Sequence, residues 1–129
     1  MTESRYFLDS SAWISYFFAE NEGVKSIIDN NNVLFTSVIS IFEVKRKLLR
    51  DKVEKIRVSG VLYFIKEKSI IAKLDQDVCE KAAEISLAHK IPAIDSLIYT
   101  SSLTNNSILV TEDRHFKDLE KVRLIDQIN

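Results

Sequence analysis

Cysteine, proline, glycine and histidine are all scarce in this 129-residue chain, and each scarcity excludes something. One cysteine, Cys79, rules out an internal disulfide framework and any cysteine-rich zinc site. The two histidines, His89 and His115, stand too far apart to be the paired zinc ligands of a HExxH helix. Gly23 and Gly60 cannot build a GxGxxG or a Walker-type phosphate loop, so the common nucleotide-binding folds fall away. With two glycines and Pro92 alone, loops must be short or must turn on asparagine, which tolerates left-handed backbone. Asn30, Asn31 and Asn32, and the pair Asn105 and Asn106, stand where such turns are needed.

An excess of one charge is also missing. Eighteen basic against nineteen acidic residues give a net charge of −1, which excludes nucleic-acid binding by overall charge and leaves a local basic face open. The longest uncharged run, Ser96 to Thr111, is broken by Asn105 and Asn106 and is too rich in hydroxyls to span a membrane. Met1 to Ser4 is not a basic leader. A cytoplasmic protein with no membrane association is expected. The length suits one domain, 1–129, able to bury about two-thirds of its unfolded surface.

Four short runs are apolar on consecutive residues, as strands covered on both faces should be: Tyr6–Leu8, Val33–Thr36, Ser69–Ala72 and Ile108–Thr111. Val122–Ile125 is a weaker fifth. Between them lie helical patterns: Ser10 to Phe18, Val24 to Ile28, Val38 to Arg50, Val53 to Lys68, Gln76 to Lys90, Pro92 to Leu103, and a short one over Arg114 to Glu120. This alternation predicts an α/β fold, a three-layer α/β/α sandwich around a central, mostly parallel sheet of four to five strands. Such folds place their ligand site at the carboxyl ends of the strands.

Four acids fall there. Asp9 follows the first strand directly, Asp113 stands two residues past Thr111, Asp95 lies in the first turn after Pro92, and Glu43 lies in the second turn after the second strand. Each also has an ordinary explanation. Asp9 and Asp113 suit helix caps, and Asp95 complements a helix dipole. Glu43 sits at the margin of an apolar arc made by Val38, Ile39, Ile41, Phe42, Val44, Leu48 and Leu49, where a solvated glutamate is common. Gathered together, they would be another matter. Two carboxylates 4 Å apart repel by about 4 kcal/mol at an effective dielectric near 20. A fold that collects four must hold protons or bind a cation. With oxygen donors and no histidine or cysteine expected nearby, the cation is Mg²⁺ or Mn²⁺, suited to phosphoryl chemistry.

The same residues resemble a known family. Phe7-Leu8-Asp9-Ser10-Ser11-Ala12-Trp13-Ile14 resembles the opening strand and acidic signature of PIN-domain nucleases. Thr36-Ser37 with Glu43-Val44 is similar to the second acidic position, and Ala93-Ile94-Asp95-Ser96-Leu97-Ile98 to the third. Leu109 to Phe116 resembles the closing T-x-D-x-x-F element. The match runs in order from Tyr6 to Ile125, and the size is most like the VapC toxins of type II toxin–antitoxin modules.

The resemblance implies a PIN-like domain and a Mg²⁺- or Mn²⁺-dependent endoribonuclease, with RNA as substrate, a cognate antitoxin as partner and a homodimeric state. Carried over by position, Asp9, Glu43, Asp95 and Asp113 are catalytic, and Asp9, Asp95 and Asp113 hold the metal. Ser11 would orient Asp9, and Thr111 would place a hydroxyl beside the site. Water attacks the phosphodiester in line, leaving a 5′-phosphate and a 3′-hydroxyl. Glu112 departs from the family by adding a negative charge.

From Lys45 to Arg57, seven basic residues stand against Asp51 and Glu54, a local excess of +5. Arg46, Lys47 and Arg50 are candidates to track RNA phosphates. A solvated helix pair whose lysine stems cover apolar surface is the plain alternative; family relatives also use this region for dimerisation and antitoxin binding. Trp13, Tyr16, Phe17 and Phe18, like Tyr63 to Ile65, read as core or interface packing, with base stacking as the alternative. Cys79 reads as a small core residue, His115 as a surface residue in a short helix, with a proton shuttle beside Asp113 as the alternative, and Asp75 and Asp77 as helix caps. Two other functions remain: a PIN-like module that binds RNA or protein without cutting, and a receiver-type signalling domain, which lacks its adjacent acids after the first strand.

Overall fold

Tyr6, Phe7 and Leu8 are buried one after another, and the period-two alternation of a strand sends them to opposite sides of a sheet. In a computed structural model, which describes residues 4–128, that sheet has five strands. They are β1 (Arg5–Leu8), β2 (Val33–Ser37), β3 (Ile70–Ala72), β4 (Ile108–Thr111) and β5 (Val122–Leu124). Met1–Glu3, most of the segment read for a leader, and Asn129 lie outside the described residues.

The strand order is β3-β2-β1-β4-β5, and every neighbouring pair is parallel. Receiver-type domains use the order 2-1-3-4-5, so that alternative is set aside. Phe7 pairs with Phe35 on one side and Leu109 on the other, and Leu8 with Thr36 and Val110. The order reverses between β1 and β4, and a crevice opens beyond strand ends at such a switch point.

The helices are α1 (Ser10–Ile14), α2 (Glu22–Asp29), α3 (Val38–Arg50), α4 (Lys55–Lys68), α5 (Gln76–His89) and α6 (Ala93–Thr104). Polar side chains start several of them: Asn21 accepts from the Val24 amide, Ser37 from Ile39 and Asp75 from Val78. Helices α1 to α4 cover Tyr6, Leu8, Leu34 and Val110, with Trp13, Ile28, Val44, Leu48, Val61 and Ile65 filling that side. The other side packs Phe7, Phe35 and Leu109 against Ile91, Ile98, Tyr99 and Phe116. The expected three layers are present, and the sheet is wholly parallel.

Several local expectations are corrected. The first helix continues past Ile14 as a wider π turn, Ser15–Ala19, which seats Tyr16 and Phe17 against Phe64 at ring-centroid distances of 5.5 and 5.3 Å. The helix expected over Arg114–Glu120 is a single 3-10 turn, Arg114–Phe116, because Phe116 is drawn fully into the core. Among the described residues, asparagine supplies one left-handed turn, Asn106; Glu20, Lys52, Lys90 and Lys121 take the others at helix and loop ends, each at a cost of about 1 kcal/mol. Cys79 is exposed, because α5 turns its neighbour Val78 and then Ala82 to the core. Gly23 allows a close approach: a Cβ there would lie 2.9 Å from the Ile128 carbonyl oxygen.

The apolar arc expected on α3 is divided. Seven apolar residues in thirteen cover more than one face, and the sheet takes the stripe Ser40, Val44 and Leu48. Val38, Phe42 and Leu49 are left 44%, 65% and 48% exposed. Among the described residues, no helix is long and apolar enough to cross a membrane.

Candidate active site

Beyond the carboxyl ends of β1 and β4, the chain is held open by side-chain hydrogen bonds rather than by sheet pairing. Asp9 leaves β1 in extended conformation, with its amide still donating to Val110. One carboxylate oxygen accepts from the Ser10 amide at 2.7 Å, as in a helix cap. The other accepts from the Thr111 hydroxyl at 2.7 Å. Thr111 in turn accepts from the Asp113 amide at 3.0 Å, which fixes the turn after β4. Ser11 Oγ accepts from the Glu112 amide at 3.0 Å and stands 3.5 Å from Asp9 Oδ2. Thr111 is thus the nearer partner of Asp9, while Ser11 holds the opposite loop.

Glu43 reaches in from α3 and accepts from the Ser10 hydroxyl at 3.1 Å. Asp95 enters from the first turn of α6. Asp9, Glu43, Asp95 and Asp113 together line one open pocket of about 430 Å³, with Ser10, Ser11, Glu112 and Arg114 around them. The four acids that the chain scatters over more than a hundred positions share a cavity.

His115 is exposed and lies beside Asp113, as expected, but it also reaches Asp95, which the sequence reading did not foresee. Its Nδ1 lies 3.0 Å from Asp95 Oδ2 and 3.1 Å from Asp113 Oδ1, so a nitrogen stands among the oxygens where none was expected. The signal was the spacing: Asp113 caps a tight turn by accepting from the His115 amide at 2.9 Å, which folds residue i+2 back over the capping carboxylate. Ser10, the partner of Glu43, was likewise passed over.

The electrostatics follow from this crowding. Burial holds the Asp9 carboxyl above its ordinary range, and the charge of Asp113 adds to the effect against the hydrogen bond from Thr111. Glu43 is raised by burial and then by Asp9. Asp95 is raised by burial and by Asp113, with His115 opposing. The His115 imidazole is raised by its hydrogen bond to Asp95 and by the charge of Asp113. Among the described residues, no lysine or arginine lies within ion-pair distance of these acids; Arg114, at the rim, pairs with Asp126. Hard oxygen donors with no lysine or arginine paired to them among the described residues fit a divalent metal ion. Nδ1 of His115 and one oxygen each from Asp95 and Asp113 all lie within 4.8 Å of one another.

The three basic candidates have different surroundings. Lys47 flanks the acidic pocket beside Ser10 and Glu43, and pairs with Asp51 at 3.2 Å. Arg50 lies 3.6 Å from the same carboxylate. Arg46 borders an apolar groove with Ile41, Phe42 and Leu49. Trp13 is buried and donates to the Thr36 hydroxyl at 3.1 Å, which leaves no face for base stacking.

A PIN domain family model matches residues 6–122. The sequence has no significant match among curated proteins. Solved structures do match. A toxin–antitoxin complex from Klebsiella pneumoniae aligns over 93% of this chain and 97% of its own, at TM-score 0.75 and 16% identity. The VapBC complex of Rickettsia felis bound to a DNA fragment from its promoter aligns over 93% and 96%, at TM-score 0.74 and 17% identity. The sarcin–ricin-loop-cleaving VapC toxin of Mycobacterium tuberculosis aligns over 79% and 84%, at TM-score 0.64 and 18% identity.

Proposed function

Because the chain belongs to the PIN domain family, we propose that it is a Mg²⁺- or Mn²⁺-dependent endoribonuclease of the VapC toxin type, restrained by a protein antitoxin. The observation that carries this reading is the meeting of Asp9, Glu43, Asp95 and Asp113 in one pocket with no pairing lysine or arginine among the described residues. Folding gathers like charges only at a cost, and a dication offsets that cost.

Asp9, Asp95 and Asp113 hold the ion in this reading. When bound, it supplies activation of water near neutral pH and offsets charge building on the phosphate oxygens. Asp9 is positioned by Ser10 and Thr111 and has little freedom to swing. Glu43, with Oε1 occupied by the Ser10 hydroxyl and its pKa raised, can take a proton at Oε2 without leaving the site. Lys47 flanks the pocket on α3, and Arg46 borders the neighbouring apolar groove of the same helix; both offer positive charge to the RNA backbone.

The partner reading rests on α3. Val38, Phe42 and Ile94 are exposed beside Glu43, an apolar collar at the mouth of a charged site. A protein that covers this collar would exclude RNA from the pocket. Similarity to toxin–antitoxin complexes supports an antitoxin as that protein, and RNA cleavage by the Mycobacterium tuberculosis relative supports RNA as substrate.

The test is incubation of the purified chain with defined structured RNAs, with Mg²⁺ or with chelator. Cleavage only with metal, leaving 5′-phosphate ends, is expected. Cleavage that persists in chelator, or RNA that binds and stays intact with metal, would reject the hydrolytic reading; the second result would favour the non-cleaving module.

A further inference from the structure

We infer that His115 is a nitrogen donor to the cation of the acidic pocket, and that it biases the site toward Mn²⁺ over Mg²⁺; this rests on the metal-dependent reading above. The geometry is specific. Neighbouring ligands of an octahedral ion with bonds of about 2.1 Å lie about 3 Å apart. His115 Nδ1 stands 3.0 Å from Asp95 Oδ2 and 3.1 Å from Asp113 Oδ1. The ring therefore already has the spacing of a third ligand beside two carboxylates.

The ring itself is largely exposed, but the turn that carries it is anchored. The His115 amide donates to Asp113 Oδ1, and the next residue, Phe116, is fully buried against the sheet. The turn that carries the imidazole is thus fixed at both ends of its reach. Mg²⁺ demands oxygen ligands and sheds water reluctantly, whereas first-row transition ions accept imidazole nitrogen. One nitrogen among carboxylates adds binding for Mn²⁺ and little for Mg²⁺. The other histidine, His89, ends α5 and does not line the pocket, so a nitrogen signal from the ion has one imidazole source.

The experiment is Mn²⁺ binding followed by electron paramagnetic resonance, with Mg²⁺ measured by competition, on the wild-type chain, His115→Ala and His115→Gln. Pulsed spectra of the wild-type Mn²⁺ complex should carry an imidazole nitrogen coupling, which changes isotope when histidine alone is labelled with ¹⁵N. Both variants should lose that coupling and bind Mn²⁺ about tenfold more weakly, with Mg²⁺ affinity nearly unchanged. The labelling readout needs no variant, so a poorly folded substitution leaves the test intact. A wild-type chain that binds both ions without histidine coupling, or variants that weaken both ions equally, would overturn the assignment to His115 alone. A wild-type chain that binds neither ion would overturn the metal-dependent reading with it.

Discussion

The Thr111 hydroxyl donates to Asp9 Oδ2 at 2.7 Å, joining the ends of two adjacent parallel strands across 102 positions of chain. The Thr111 hydroxyl oxygen in turn accepts from the Asp113 amide. One buried hydroxyl therefore sets the positions of two of the four acids, and it does so with its donor and its acceptor both in use.

Replacing Thr111 with valine keeps the shape and removes both bonds. A buried carboxylate oxygen and an amide then lose their partners, so stability should fall by about 1–3 kcal/mol and RNA cleavage should fall with it. Thr111→Ser should restore most of both. Thermal melts and a cleavage assay check this; a valine variant as stable and active as the parent would deny Thr111 its positioning role.

Asp95→Asn should abolish metal-dependent cleavage. Burial and Asp113 hold the Asp95 carboxyl above its ordinary range, so the metal-free fold disfavours the carboxylate there despite its bond to His115. The neutral amide should leave the metal-free melting temperature equal or raised by about 2–5 °C. A variant that melts lower than the parent would mark Asp95 as a structural cap.

Stability of the metal-free protein should fall as pH rises. Asp9, Glu43 and Asp95 have raised folded pKa values, so their contribution is present in acid and is lost as pH climbs through those values. His115 acts in the same direction above its ordinary value near 6.5. Asp51, lowered by Lys47, opposes them only in acid. Melting temperatures from about pH 5 to about pH 9 in chelator should therefore decline, and saturating Mg²⁺ should flatten the decline. A rise over that interval in chelator would contradict the repulsive site.

Charge reversal of Arg46 with Arg50 should weaken RNA binding and reduce its salt dependence by about one to two phosphate contacts. Lys47→Glu should weaken it less than its place beside the pocket suggests, because Asp51 already pairs with that ammonium. Binding measured across a salt series separates these cases. An unaltered slope in the double variant would assign Arg46 and Arg50 to protein contacts or to solvent.

What was legible in the sequence was whatever local physics controls. Consecutive apolar residues at Tyr6–Leu8 and Ile108–Val110 announce strands buried on both faces, and Asp75 announces a helix start. The position of Asp9, Asp95 and Asp113 just beyond strand ends or in a first helical turn could be read for the same reason. The divided face of α3 and the π turn at Ser15–Ala19 could not, because both depend on which neighbour a helix packs against.

The sequence by itself determined the alternation of strands and helices, since periods of two and 3.6 residues are written into adjacent side chains. Only the tertiary structure decided that β1 lies beside β4, that Glu43 reaches Ser10, and that His115 turns back between Asp95 and Asp113. Those meetings are set by strand order and by the burial of Phe116, and apart from the Asp113–His115 spacing the residues that meet carry no mark of them.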